Sequence, residues 1–325
     1  MASVLITTIP FGDKDHLPLE LLDKAGIKYL INPYKKKLTA DQLCELIPEF
    51  DVVIAGTEEI NEKVLNSAKN LKFISRVGIG LDSVDLKSAR KLGIKVSYTP
   101  DAPAPAVAEH TLGLMLSLLR STQLSNLHMH QGKWHRYFGR RLSNTTVGII
   151  GAGRIGSRVL NHLSGFSPAR VLVNELTDNL VLDNPLKIEW ASKEEIYKNA
   201  DIISLHIPLT KQTRNLIDKK VLLTMQKDAM IINTSRGGII NENDLFEVMN
   251  DGHLAGAAID VFIQEPYNGD LTKIDRCILT SHMGSMTIDC RTQMEIEATE
   301  EAIRFINGNP LQNEVPDFEY EIQRV

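Results

Sequence analysis

Val147-Gly-Ile-Ile-Gly151-Ala-Gly153-Arg154-Ile155-Gly156 is the stretch that decides the fold of this chain. A β-branched run enters the G-x-G-x-x-G spacing directly, and apolar residues at helical intervals (Ile155, Val159, Leu160, Leu163) follow it. In such a turn Gly151 makes the tight corner, Gly153 lets backbone approach a pyrophosphate, and Gly156 lets the helix pack closely on the strand. The helix N-terminus then offers free N–H groups and a partial positive charge to phosphate. The next strand-like run, Arg170–Asn174, ends at Glu175, 19 residues beyond Gly156. That is the spacing of a carboxylate on the adenosine ribose hydroxyls. No Arg or Lys follows Glu175 immediately, so a 2′-phosphate would meet a negative charge. The stretch therefore predicts a site for NAD rather than NADP. A tight strand–helix turn with a surface Glu is the plainer alternative.

Outward from this turn, short β-branched runs alternate with helix-length polar segments. Candidate strands are Ser3–Thr8, Ile27–Ile31, Asp51–Ala55, Lys72–Ser75 and Ile94–Ser97, then Thr146–Ile150, Arg170–Asn174, Ile202–His206, Met230–Thr234, Ala257–Val261 and Cys277–Ser281. Candidate helices lie near Leu17–Ala25, Ala40–Leu46, Asn61–Ala68 and Val84–Leu92. Alternation of this kind predicts βαβ units and an α/β fold of two doubly wound parallel sheets. Uniformly apolar strands suit sheets covered on both faces. The prolines of Pro100-Asp-Ala-Pro-Ala-Pro105 mark a domain boundary. A long helix is expected from Ala106 to about Leu119 and another from Thr287 to Ile306, while Leu311–Val325 has no strong pattern.

Composition narrows the function classes. The 325 residues carry 36 basic and 41 acidic side chains, a formal net charge of −5, which lacks the positive field that nucleic-acid binding uses. The longest plainly apolar stretch, Leu112–Leu119, is short of the ~20 residues a bilayer span needs. The N-terminus has neither a basic region nor a small-residue cleavage site, and Cys44, Cys277 and Cys290 form no C-x-x-C pair. A cytoplasmic location, no membrane partner and no metal site are the expectations.

Ligands of open parallel sheets bind beyond the carboxyl ends of the strands. Polar residues gather at such ends: His206 and Pro208, then Thr234-Ser235-Arg236, then Asp260 and Glu265, then His282. Arg236 suits clamping a carboxylate with paired hydrogen bonds. His282 suits proton exchange, and Glu265 suits orienting the imidazole and favouring its protonated form. With NAD, these groups describe hydride transfer at the carbon next to a carboxylate. His206 suits lining the cofactor pocket or fixing the strand end. His110, His128, His130, His135, His162 and His253 read as structural or solvated.

These residues resemble the D-isomer-specific 2-hydroxyacid dehydrogenases, the phosphoglycerate dehydrogenase-like family. The likeness runs through Arg76-Val-Gly-Ile-Gly80-Leu-Asp82-Ser-Val-Asp85, Val107-Ala-Glu109-His110-Thr, Gly151–Gly156, Asn199-Ala-Asp201, His206-Ile-Pro208-Leu-Thr, Thr213, Asn233-Thr-Ser-Arg236-Gly, Asp260-Val-Phe, Glu265-Pro and His282-Met-Gly284. The resemblance implies a flavodoxin-like substrate-binding domain from residues 1–99 and 288–325, and a Rossmann NAD-binding domain from residues 100–287. It implies an active site in the cleft and Arg236, Glu265 and His282 as the catalytic set. It implies cofactor contacts from Val107, Gly151, Gly153, Arg154, Ile155, Gly156, Glu175, His206, Pro208, Thr213, Thr234, Ser235, Asp260 and Gly284. Substrate contacts would come from Arg76, Val77, Gly78 and Ile79 together with Arg236 and His282. Pro100–Pro105 departs from the Asn- and Gly-containing stretch usual in phosphoglycerate enzymes, and the chain has no room for the added regulatory domains of longer relatives. Arg76 is a vote for a phosphate-bearing substrate such as 3-phosphoglycerate. A glyoxylate or hydroxypyruvate reductase and a non-enzymatic, NAD-sensing corepressor-like protein stand as alternatives. A homodimer is expected, packed through Leu112–Leu119 and Trp134–Arg141.

Overall fold

Short apolar runs build the first sheet: β1 (Ser3–Ile6), β2 (Lys28–Ile31), β3 (Val52–Ala55), β4 (Phe73–Arg76) and β5 (Lys95–Ser97). The second comprises β6 (Thr146–Ile150), β7 (Arg170–Asn174), β8 (Ile188–Trp190), β9 (Ile202–Leu205), β10 (Met230–Asn233), β11 (Gly256–Ile259) and β12 (Cys277–Leu279). The computed structural model describes residues 2–176 and 186–323. Every strand pair is parallel. The five-stranded sheet has the order β2-β1-β3-β4-β5 and the seven-stranded sheet β12-β11-β10-β9-β6-β7-β8. Both are doubly wound: the order reverses between β1 and β3 in one and between β6 and β9 in the other, and such switch points open a crevice for ligands.

The chain divides into two compact units, one running to Pro103 and resuming at Met286, the other spanning Ala104–Ser285. In the first unit, Leu5, Val53, Ile74 and Val96 pack with Leu43, Ile47, Val64 and Leu65 on one face of the sheet. The helix Ile288–Ile306 covers β3 and β4. It is fastened by a stack of Phe305 on Phe73 at 4.6 Å and by the Ser75 hydroxyl donating to the Ala298 carbonyl at 2.7 Å. In the second unit one face packs Ile196, Leu222, Ile231, Leu245 and Ile259, and the other packs Met115, Leu118, Ile149, Leu160 and Ile232. Burial of both faces explains why the strands read as continuous apolar runs.

Helix starts follow local capping chemistry. Thr39 and Gln42 form a reciprocal capping box, as do Ser192 and Glu195. Asn61, Asp85, Asp218 and Asn241 each accept a first-turn N–H.

Several expectations change. Leu114, Met115, Leu118 and Leu119 lie in the core of their own unit, while Leu112 and Leu116 are only partly buried against it. Their helix is longer than expected, Ala104–Arg120. Strand β8 and the helix Asp317–Ile322 were not anticipated. Among the described residues no helix is long and apolar enough to cross a membrane, and no cluster of His, Cys, Asp or Glu is arranged for a metal ion.

Candidate active site

The strands of the second sheet end sooner than their apolar runs suggest, and the polar residues begin where the ladder stops. His206, Asp260 and Thr280 each lie just past a strand, and their N–H groups donate to Ile150, Asn233 and Ile259 respectively. The backbone is thus held to the sheet edge while the side chains project beyond it.

The nucleotide turn lies at the β6/β9 switch point. Gly151 has φ +94°, and a Cβ there would stand 2.4 Å from the His206 carbonyl oxygen. A Cβ on Gly156 would stand 2.0 Å from the Gly151 carbonyl oxygen, whereas one on Gly153 would meet open space. Only glycine satisfies the first two positions, and Gly153 leaves its backbone approachable. Gly153 caps the helix Arg154–Leu163 with no side-chain hydrogen bond, and a helix start of this kind suits an anion. Glu175, at the end of β7, accepts from Ala152 N–H within the turn at 2.7 Å. The carboxylate is therefore beside the glycine corner, as a ribose contact requires. This cradle fits a dinucleotide.

Neighbouring loops complete the pocket wall. Thr213 Oγ1 donates to the Pro208 carbonyl at 2.6 Å, closing the loop after β9. His206 shares a hydrogen bond with Ser204 through Nε2 at 2.9 Å, and its Nδ1 is buried with no partner among the described residues. Burial pushes its imidazole down to about 4, so it is neutral at physiological pH. The Ser235 hydroxyl donates to Asn233 at 2.7 Å, and Asn233 donates to the Arg236 carbonyl at 2.8 Å. This fixes the turn from which the half-buried Arg236 side chain extends.

His282 and Glu265 are in contact. His282 Nδ1 lies 3.0 and 3.1 Å from the two Glu265 oxygens. Glu265 also accepts from Phe262 N–H at 3.1 Å, which anchors the carboxylate to the loop after β11. Arg236, Glu265 and His282 follow β10, β11 and β12, which are adjacent in the sheet. His282 has φ +51°, a backbone state that non-glycine residues seldom adopt and that recurs where function dictates geometry. Asp260, 1% exposed, holds this loop by accepting from Met283 and Gly284 N–H at 2.9 Å each and from the Thr280 hydroxyl at 2.5 Å. Burial pushes the Asp260 carboxyl up, but hydrogen bonds from His110, Thr280, Met283 and Gly284 outweigh it and hold the group below its ordinary value.

Residues 112–284 match the family described as D-isomer specific 2-hydroxyacid dehydrogenase, NAD binding domain. This chain belongs to the D-isomer-specific 2-hydroxyacid dehydrogenases. It is an NAD-dependent oxidoreductase acting on the CH–OH group. A hydroxypyruvate reductase of Thermotoga maritima is 34% identical over 295 residues, covering 87% of this chain and 95% of that protein. A D-3-phosphoglycerate dehydrogenase of Bacillus subtilis is 33% identical over 86% of this chain, which spans only 54% of that longer protein. Among solved structures, the NAD-dependent formate dehydrogenase of Staphylococcus aureus, in complex with NAD, superposes with a TM-score of 0.85 at 28% identity, covering 97% of this chain and 99% of that one.

Arg76 closes β4 in the first unit and is 6% exposed, its guanidinium donating to the Val77 carbonyl. Val77 N–H donates to Ala55, and Gly78 N–H to Thr99 Oγ1 at 2.7 Å. Ile79 packs partly buried against the core of that unit. His110 is the residue that sequence reasoning passed over: its Nε2 lies 3.5 Å from Asp260 Oδ1 and 3.4 Å from Thr280 Oγ1.

Proposed function

We propose that the protein reduces a short, unphosphorylated 2-keto acid to the D-2-hydroxy acid, in the size class of glyoxylate and hydroxypyruvate. The bidentate approach of Glu265 to His282 Nδ1 carries this reading. With Nδ1 engaged, Nε2 is the ring nitrogen left to pass a proton. Arg236 orients the substrate carboxylate and polarises the carbonyl beside it. The nicotinamide, when bound, supplies hydride to C2. His282 then delivers its Nε2 proton to the carbonyl oxygen, and Glu265 stabilises the imidazole through the exchange. Val107, Thr234, Asp260 and Gly284 shape the wall against which the cofactor ring lies.

Similarity to a hydroxypyruvate reductase along 95% of that protein supports the unphosphorylated substrate. NADH oxidation with glyoxylate, hydroxypyruvate and 3-phosphohydroxypyruvate tests the choice. Preference for the phosphorylated acid overturns it, and no turnover with any 2-keto acid returns the corepressor-like alternative. His282→Gln should lose about 10²–10⁴ in kcat on the best substrate; unchanged kcat removes the proton-transfer role.

We further infer a homodimer. Leu127, Met129, Trp134 and Phe138 are exposed on one segment, with Trp134 at 75%. Exposed apolar side chains gathered on one segment suit an association surface. A monomer by light scattering at micromolar concentration contradicts it. The free cysteines Cys44, Cys277 and Cys290 suit a reducing cytoplasm.

A further inference from the structure

The helix Ala104–Arg120 carries three residues toward the site loops at i, i+3 and i+4 spacing, which places them on one helical face. Val107 packs on Gly284: a Cβ added there would come within 3.4 Å of the Val107 side chain and 3.2 Å of Asp260 Oδ2. Thr111 shares a hydrogen bond with Thr234 at 2.8 Å, two residues before Arg236. Between them His110 reaches Asp260 and Thr280.

We infer that His110 is a positioning residue, which sets the geometry of His282 by holding the Asp260 carboxylate. The path is short and contiguous. Asp260 Oδ1 receives Thr280 Oγ1, Met283 N–H and the His110 ring, while Oδ2 receives Gly284 N–H. The Asp260 carbonyl also accepts the His282 N–H at 2.8 Å. Both faces of this aspartate thus grip the loop that carries His282 in its left-handed conformation. A carboxylate so buried needs its contacts filled, and among the described residues His110, its Nε2 3.5 Å from Oδ1, is the partner that comes from outside the loop's own strand ends. Loss of that donor lets the carboxylate rotate, and the His282 imidazole moves with the backbone it hangs from. Displacement of a reacting group by about 1 Å costs on the order of 10²-fold in rate.

This inference rests on His282 as the proton donor, and the experiment separates the two. NADH oxidation is measured with the fastest 2-keto acid of the panel for wild type, His110→Ala, His110→Gln and His282→Gln, with NADH binding followed by fluorescence. His110→Ala should lower kcat about ten- to a hundredfold. KM for the keto acid and Kd for NADH should stay within about twofold, the signature of an effect confined to the transition state. His110→Gln should recover most of kcat, because its amide N–H can donate to the same oxygen. If circular dichroism finds the alanine chain unfolded, His110→Phe, a ring without a donor, takes its place. Wild-type kcat in His110→Ala, an equal loss in His110→Gln, or a loss shared with NADH binding overturns the positioning role. Full turnover in His282→Gln instead overturns the proton donor itself, whatever the His110 variants do.

Discussion

Gly237 lies against the backbone of Phe262, so closely that a Cβ on Gly237 would stand 2.1 Å from the Phe262 carbonyl carbon. The loop that presents Arg236 is thereby seated on the loop whose Phe262 N–H holds Glu265. Arginine and acid–base pair are set relative to one another through that contact. Gly237→Ala must force the loops apart. We expect a fall in kcat/KM of about 10²-fold and a loss of about 1–3 kcal/mol in urea unfolding. Wild-type kinetics in this variant would mean that the two loops do not set each other's position.

Glu265→Gln keeps the shape of the side chain and an acceptor for Phe262 N–H, but removes the charge that faces the His282 ring. Its kcat should drop by about 10²-fold or more, with NADH affinity intact by fluorescence titration. A loss of NADH binding instead would assign the residue to cofactor recognition.

Glu175 accepts from Ala152 N–H in the glycine corner, where its charge would oppose a 2′-phosphate. Glu175→Ala should weaken NADH by about tenfold, ~1.4 kcal/mol, and change NADPH far less, so the ratio of their kcat/KM values narrows. Parallel loss with both cofactors would leave the carboxylate a purely structural partner of Ala152.

His206 gives the stability of the chain a pH dependence. Its folded value, about 4, lies below the ordinary histidine value of roughly 6.5. The unfolded chain therefore takes up a proton that the folded chain refuses. Stability is complete above about pH 6.5 and declines as pH falls toward 4, by about 2–3 kcal/mol from this group. His206→Gln should flatten that slope in denaturation curves taken between pH 7.5 and 4.5. An unaltered slope would place the sensitivity elsewhere.

Much of this architecture is legible in the sequence, and particular residues mark where legibility stops. β6 and β7 have the bounds their apolar runs predict, because both lie in the sheet interior. At β9, β10 and β12 the run overshoots the strand: His206, Thr234 and Thr280 are β-compatible, but their side chains belong to the site. β8 is three residues long with Trp190 exposed, too short to set a period. The turn at Gly151–Gly156 is readable because Gly151 and Gly156 each answer a steric demand. Arg76 donates to the Val77 carbonyl, in a rotamer no residue pattern encodes. His110 left a faint trace in the Val107-His110-Thr111 spacing, but its partner Asp260 is far along the chain, and only the fold joins them.

The first sheet needs residues from both sides of the nucleotide-binding unit: Phe73 waits for Phe305, Ser75 for Ala298, and Gly12 N–H for Glu295. On the ribosome, β1 to β5 emerge first, and the whole of Ala104–Ser285 must be synthesised before their covering helix exists. At about 5–20 residues per second that interval is roughly ten to forty seconds. Throughout it one side of the sheet lacks its cover, so the first-made strands of this protein are among the last to have their core closed.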